Sequence, residues 1–134
     1  MNDTSMLPPE YKQSLALPSS QIVVLDMEEE VDLKACSAFI LFVMARWSGV
    51  CQHSFRALMR VFGELSDVAQ VRLVIVDTDS SGVERFFARV GEAPQGAGET
   101  YWVRDGAIIY SKNGCTVGDT AILASWTKSL FGGV

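Results

Sequence analysis

Residues 38–45, Ala-Phe-Ile-Leu-Phe-Val-Met-Ala, carry no charge and no polar side chain. A strand with one wet face alternates apolar and polar residues, so a strand without polar positions is covered on both faces. A helical pattern follows closely: Cys51, Phe55, Leu58, Met59, Phe62 and Leu65 recur at three- and four-residue steps. Trp47 and Ser48 lie in the turn between the two. A buried strand running through a tight turn into a helix fits an α/β layered fold. It also brings free N–H groups and the positive end of a helix to the sheet's edge, a common place for chemistry.

The letters at that turn are Trp47-Ser48-Gly49-Val50-Cys51. They resemble the active-site segment of the thioredoxin family, where a buried strand leads to Trp-Cys-Gly-Pro-Cys at the start of a helix. The resemblance implies a central mixed sheet with helices on both faces. It also implies the roles of the two cysteines: the first attacks a substrate disulfide and the second resolves the mixed disulfide. Ser48 stands at the attacking position, and a serine hydroxyl neither acidifies like a thiol nor forms a disulfide. Cys51 matches the resolving position. The family's buried aspartate falls at Phe42, its nearby lysine at about Ile75 and its middle proline at Val50. Its cis-proline falls at Gly98 counting back from Gly106, or at Gly96 counting forward from Gly91; Pro94 serves only with a rebuilt loop. The scaffold pattern survives while the chemistry is altered at several places, as in a degenerate family member.

The rest of the chain fits that scaffold. Residues 1–18 hold three of the four prolines and little periodicity and read as a flexible or loosely docked arm before a domain at 19–134. Residues 21–25 read as the first strand. Residues 26–36, with Glu28, Glu29 and Glu30 in a row, read as a short helix with a solvated acidic face. Ser66 and Asp67 break the long helix. Residues 71–76 form another buried strand, and Val83, Phe86, Phe87 and Val90 mark a helix face whose start Asp77 and Asp79 cap. Residues 91–98 form a loop. Asp105-Gly106 between apolar runs signals a hairpin. Asp119 caps a last helix with Ile122, Leu123, Trp126 and Leu130 buried, and Gly132 and Gly133 stop it. The order is β-α-β-α-β-α-β-β-α.

A net charge of −5 gives no electrostatic reason to bind nucleic acid, and no apolar run is long enough to span a membrane. The start shows no basic region followed by an apolar core, and three widely spaced cysteines make neither a disulfide framework nor a zinc site. The expectation is a cytoplasmic protein without metal or cofactor. Taken alone, Ser48 is a good helix N-cap, and Cys51 is a small buried apolar residue or a reactive thiol. His53, Arg56 and Arg60 form a basic stripe beside Arg46, either a solvated face or a seat for an acidic partner. Residues 77–82 open like a calcium loop but have Ala88 at the twelfth place, where a glutamate is needed. Asp77-Thr78-Asp79 also resembles the phosphatase motif of haloacid dehalogenases, with Lys112 and Asp119 as further parts, but without the following acid.

The reading is a thioredoxin-like fold without the dithiol site, acting as a non-catalytic protein-binding or chaperone-like module. Its partner is another protein or peptide segment, held at Trp47, Ser48, Gly49, Val50, Gly98, Glu99 and Thr100; Trp47 and Trp102 each either flank the site or belong to the core. The alternative is a single-thiol redox protein in which Cys51 forms mixed disulfides or senses oxidant.

Overall fold

The computed structural model describes residues 4–65, 68–93 and 95–131. A short helix α1 (Pro9–Lys12) precedes β1 (Ile22–Val24). Then follow β2 (Ala38–Met44), α2 (Gly49–Glu64), β3 (Leu73–Asp77) and α3 (Ser81–Val90). The hairpin β4 (Thr100–Arg104) and β5 (Ala107–Lys112) leads to α4 (Thr120–Phe131). The five strands lie in the order β1-β3-β2-β4-β5. Strands β1, β2 and β3 are parallel, while β4 runs antiparallel to both β2 and β5. The two-residue hairpin turn has φ of 51° at Asp105 and 82° at Gly106, which the Asp-Gly pair tolerates.

Central β2 explains why its sequence is apolar throughout. Phe39, Leu41 and Val43 point to a core shared with Val76, Val83, Phe86, Phe87, Tyr101 and Val103 on the α3 side. Ile40, Phe42 and Met44 point to the other core, with Phe55, Leu58 and Phe62 of α2, Trp102 of β4 and Leu123 of α4. Phe42 and Phe55 meet edge to face at 5.0 Å.

Three elements differ from the sequence expectation. Residues 26–36 form turns, not a helix. Asp26 Oδ1 accepts the N–H groups of Glu28 and Glu29, and Asp32 Oδ1 accepts that of Lys34. Such side-chain bonds offer the backbone an alternative to the helix. The acidic run is also engaged, since Glu30 pairs with Arg85. Gly82 lets this segment lie directly on the start of α3; a Cβ there would stand 1.9 Å from the Glu29 carbonyl oxygen.

The N-terminal arm, expected to be loosely docked, is part of the core between residues 7 and 17. Leu7, Tyr11 and Leu17 are 3%, 0% and 5% exposed. The Tyr11 ring packs on Phe55 at 5.1 Å, and its hydroxyl donates to the Ala45 carbonyl at 2.8 Å. A buried phenol with its hydroxyl satisfied stabilises this seat. On α4, Ile122 is exposed and Trp126 half-buried, while Thr127 takes a core place. Thr127 can be buried because its hydroxyl donates to the Leu123 carbonyl and accepts the Trp102 indole N–H. Asp119 sits in the 3₁₀ turn before α4 and caps that turn by accepting the Thr116 N–H at 2.9 Å. Ser66, Asp67, Pro94, Gly132 and Gly133 lie outside the described residues.

Candidate functional site

The C-terminal end of β2 delivers Ala45, Arg46, Trp47 and Ser48 to the start of α2. Ser48 has extended dihedrals and its Oγ accepts the Cys51 N–H at 3.1 Å. The hydroxyl at the attacking position is therefore spent as an N-cap. Cys51 points inward and is fully buried. Its sulfur accepts the Ala45 N–H at 3.2 Å and lies 3.7 Å from the Val43 carbonyl. Burial pushes this thiol's pKa up, outweighing the Tyr11 hydroxyl and the Ala45 N–H, which favour the thiolate. Burial likewise raises the Tyr11 phenol. The positive helix end is present, but the sulfur is too desolvated to ionise readily.

Around this sealed thiol the surface is apolar. Trp47 is 71% exposed and Val50 64%, with Gly49 exposed between them. Gly96, at a positive φ of 70°, lies under the Trp47 ring, where a Cβ would come within 3.2 Å of it. Arg46 bends away from the patch and pairs with buried Asp77 at 2.9 Å, while its Nη2 donates to the Met6 carbonyl.

Gly98, Glu99 and Thr100 reach the same sheet end but are buried, Glu99 at 2% and Thr100 at 0% exposed. They are supports for the patch rather than contacts on it, a correction to the sequence reading. Gly98 has a φ of 83°, and a Cβ there would clash with Ser54 at 2.6 Å. Thr100 turns inward, its hydroxyl donating to the Gly98 carbonyl at 2.9 Å. Glu99 folds under the loop, where Oε2 accepts the Gln95 N–H at 2.6 Å and Oε1 meets no partner among the described residues. Of its two expected places Trp102 takes the core: it is fully buried and packs edge to face on Trp126 at 5.1 Å. Its position on β4 places it on the α2 and α4 face, away from the turn.

Two residues escaped the sequence reading. Ser54 is 1% exposed and joins three segments, donating to the Gly98 carbonyl at 3.2 Å and accepting the Cys115 N–H at 2.8 Å. Nothing in its local sequence marks it. Tyr11 had a signal, since Leu7, Tyr11 and Leu15 recur at four-residue steps within a polar arm. Cys115 is buried and its thiol is also raised by burial, whereas Cys36 is exposed.

The aspartates at the end of β3 do not assemble a phosphoryl-transfer site. Asp77 is held by Arg46, and its Oδ1 accepts the Asp79 N–H at 2.8 Å. Ser80, not either aspartate, caps α3 by accepting the Val83 N–H. Lys112 stands on β5, three strand spacings or roughly 14 Å across the sheet, paired with Asp119 at 3.4 Å. Among the described residues no group of three or more His, Cys, Asp or Glu is placed to hold a metal ion. No helix among them is long and apolar enough to cross a membrane.

No protein-family model matches the sequence, and no curated protein does. Solved structures do match in three dimensions. Desulfothioredoxin from Desulfovibrio vulgaris Hildenborough aligns with a TM-score of 0.55 and 18% identity over 69% of this chain and 84% of that one. Thioredoxin O2 from Arabidopsis thaliana aligns at 0.57 and 16% identity, covering 84% and 96%. A mutant thioredoxin from Halobacterium salinarum NRC-1 aligns at 0.58 and 14% identity, covering 83% and 91%. The fold is thioredoxin-like.

Proposed function

We propose that this chain is a thioredoxin-fold binding module whose dithiol chemistry has been lost, with Trp47, Gly49 and Val50 as the contact surface for another protein or peptide. One juxtaposition carries the reading. At a single helix end the Ser48 hydroxyl is spent as a cap, Cys51 is sealed in the core, and Trp47 and Val50 are held out in water. Exposed aromatic anchors of this kind dominate binding energy in protein interfaces. The cap and the Ser54–Gly98 bond hold the turn and the 95–98 loop in place, so little ordering would be lost on binding. The three cysteines are free thiols, which supports a reducing, cytoplasmic setting.

The experiment is selection of random displayed 12-residue peptides on the immobilised chain, with amide NMR shifts mapping where a synthetic copy of an enriched peptide binds. Expected shifts cluster at residues 46–50 and 95–98, and Trp47→Ala abolishes binding while leaving the fold intact. Absence of any enriched peptide, or shifts confined to another face, overturns the proposal.

A further inference from the structure

Resting on that binding reading, we infer that the partner is an acidic chain segment with an aromatic or large apolar anchor, laid along the exposed face of α2 from Trp47 toward Arg60. Val50, His53, Arg56 and Arg60 follow one another at three- and four-residue steps, and His53, Arg56 and Arg60 are exposed. The stripe from Val50 to Arg60 spans about 15 Å, the length of roughly five extended residues. It begins at the apolar patch and continues as three basic side chains.

The charge distribution argues for the sign of the occupant. The chain as a whole carries −5, with sixteen acidic residues against eleven Lys and Arg. Yet on α2 no acid appears before Glu64, which pairs with Arg60 at 3.7 Å. Among the described residues neither His53 nor Arg56 has a carboxylate within ion-pair distance. Ion pairs hold Arg46 to Asp77, Arg85 and Arg89 to Glu30, and Lys112 to Asp119; Arg72 and Arg104 donate to backbone carbonyls, and Lys12, Lys34 and Lys128, like Arg56, form no ion pair among the described residues. Glu10 on neighbouring α1 is exposed and makes no such pair among the described residues. On an acidic molecule this strip, with Arg56 unpaired and Arg60 shared with Glu64, attracts carboxylates, and it steers an acidic segment into register with the anchor at Trp47. Arginine at position 56 can hold a carboxylate with two parallel N–H bonds.

The peptide selection separates this inference from the reading beneath it. Enriched peptides should carry an aromatic or large apolar residue followed within five positions by two or more Asp or Glu. A synthetic copy should bind about tenfold more weakly to Arg56→Glu and lose affinity between 50 and 300 mM salt. Replacing the peptide's acids with Lys should restore part of the affinity for that variant. Circular dichroism confirms that Arg56→Glu, at an exposed site, is folded. Enriched peptides that need Trp47 but show no acidic bias and bind Arg56→Glu unchanged overturn this inference and leave the module reading standing. Failure to enrich any peptide overturns both.

Discussion

Truncating Tyr11 to alanine tests whether the N-terminal arm belongs to the core. The ring is fully buried, meets Phe55 at 5.1 Å, and donates its hydroxyl to Ala45 at 2.8 Å. Removing a buried aromatic costs about 3–5 kcal/mol through lost burial and the cavity left behind. The lost hydrogen bond adds about 1 kcal/mol, since the Ala45 carbonyl keeps the Ser48 N–H at 3.3 Å. Tyr11→Phe isolates that smaller part. Against a domain stability of about 5–15 kcal/mol, Tyr11→Ala is a severe change. Urea unfolding followed by circular dichroism reads it: with a slope of about 1–3 kcal/mol/M, the midpoint should fall by more than about 1 M for Tyr11→Ala. Tyr11→Phe should move it by roughly a third of that or less. A Tyr11→Ala shift below about 0.2 M would refute the packing argument, because only a side chain laid on the surface contributes so little.

Gly82→Ala should destabilise by about 1–3 kcal/mol or more, because the added methyl meets the Glu29 carbonyl at 1.9 Å; unchanged thermal stability would contradict the close crossing of the two segments. Ser48→Ala should cost about 0.5–2 kcal/mol of stability, read by urea unfolding, through loss of the α2 cap. For Asp119, burial opposes ionisation, but the Thr116 N–H and hydroxyl and the Lys112 ammonium outweigh it and hold the carboxyl below its ordinary value. Its contribution is therefore present above the unfolded pKa of about 4 and lost as pH falls through the lower folded value. Melting curves of the chain and of Asp119→Asn should differ at pH 6, and the gap should shrink as pH is lowered below the ordinary carboxylate range; a constant gap contradicts the charge-based account. The chain should leave the rate of protein-disulfide reduction by dithiothreitol at its uncatalysed value, and measurable acceleration would contradict loss of the dithiol mechanism.

The buried strand, the long helix and the hairpin were legible because each rests on a local pattern: an unbroken apolar run, a 3.6-residue period, an Asp-Gly turn. The position of Ser48 as a cap was legible for the same reason. Residues 26–36 misled because acidic helix formers there are overridden by Asp26 and Asp32 bonding to the backbone. The arm misled because its prolines and polar residues mask three apolar contacts at four-residue spacing. Burial of Gly98, Glu99 and Thr100 depends on Ser54, some forty residues away, reaching across to the loop. Such long-range bonds leave no local trace. The resemblance at the motif located the site; only packing separates the residues that face water from those that support them.

The most direct test of a binding module with a sealed thiol is alkylation of the three cysteines in the folded chain, which carries its own controls. Cys36 is exposed, Cys115 is buried and Cys51 is fully buried. With iodoacetamide at pH 7.5 and peptide mass spectrometry, Cys36 should label at the rate of a free thiol. Cys51 and Cys115 should label roughly a hundredfold or more slowly, through opening of the structure, and denaturant should release both. Labelling of Cys51 at a rate comparable to Cys36, with Cys115 still protected, would contradict the account and make Cys51 the working thiol of a redox protein.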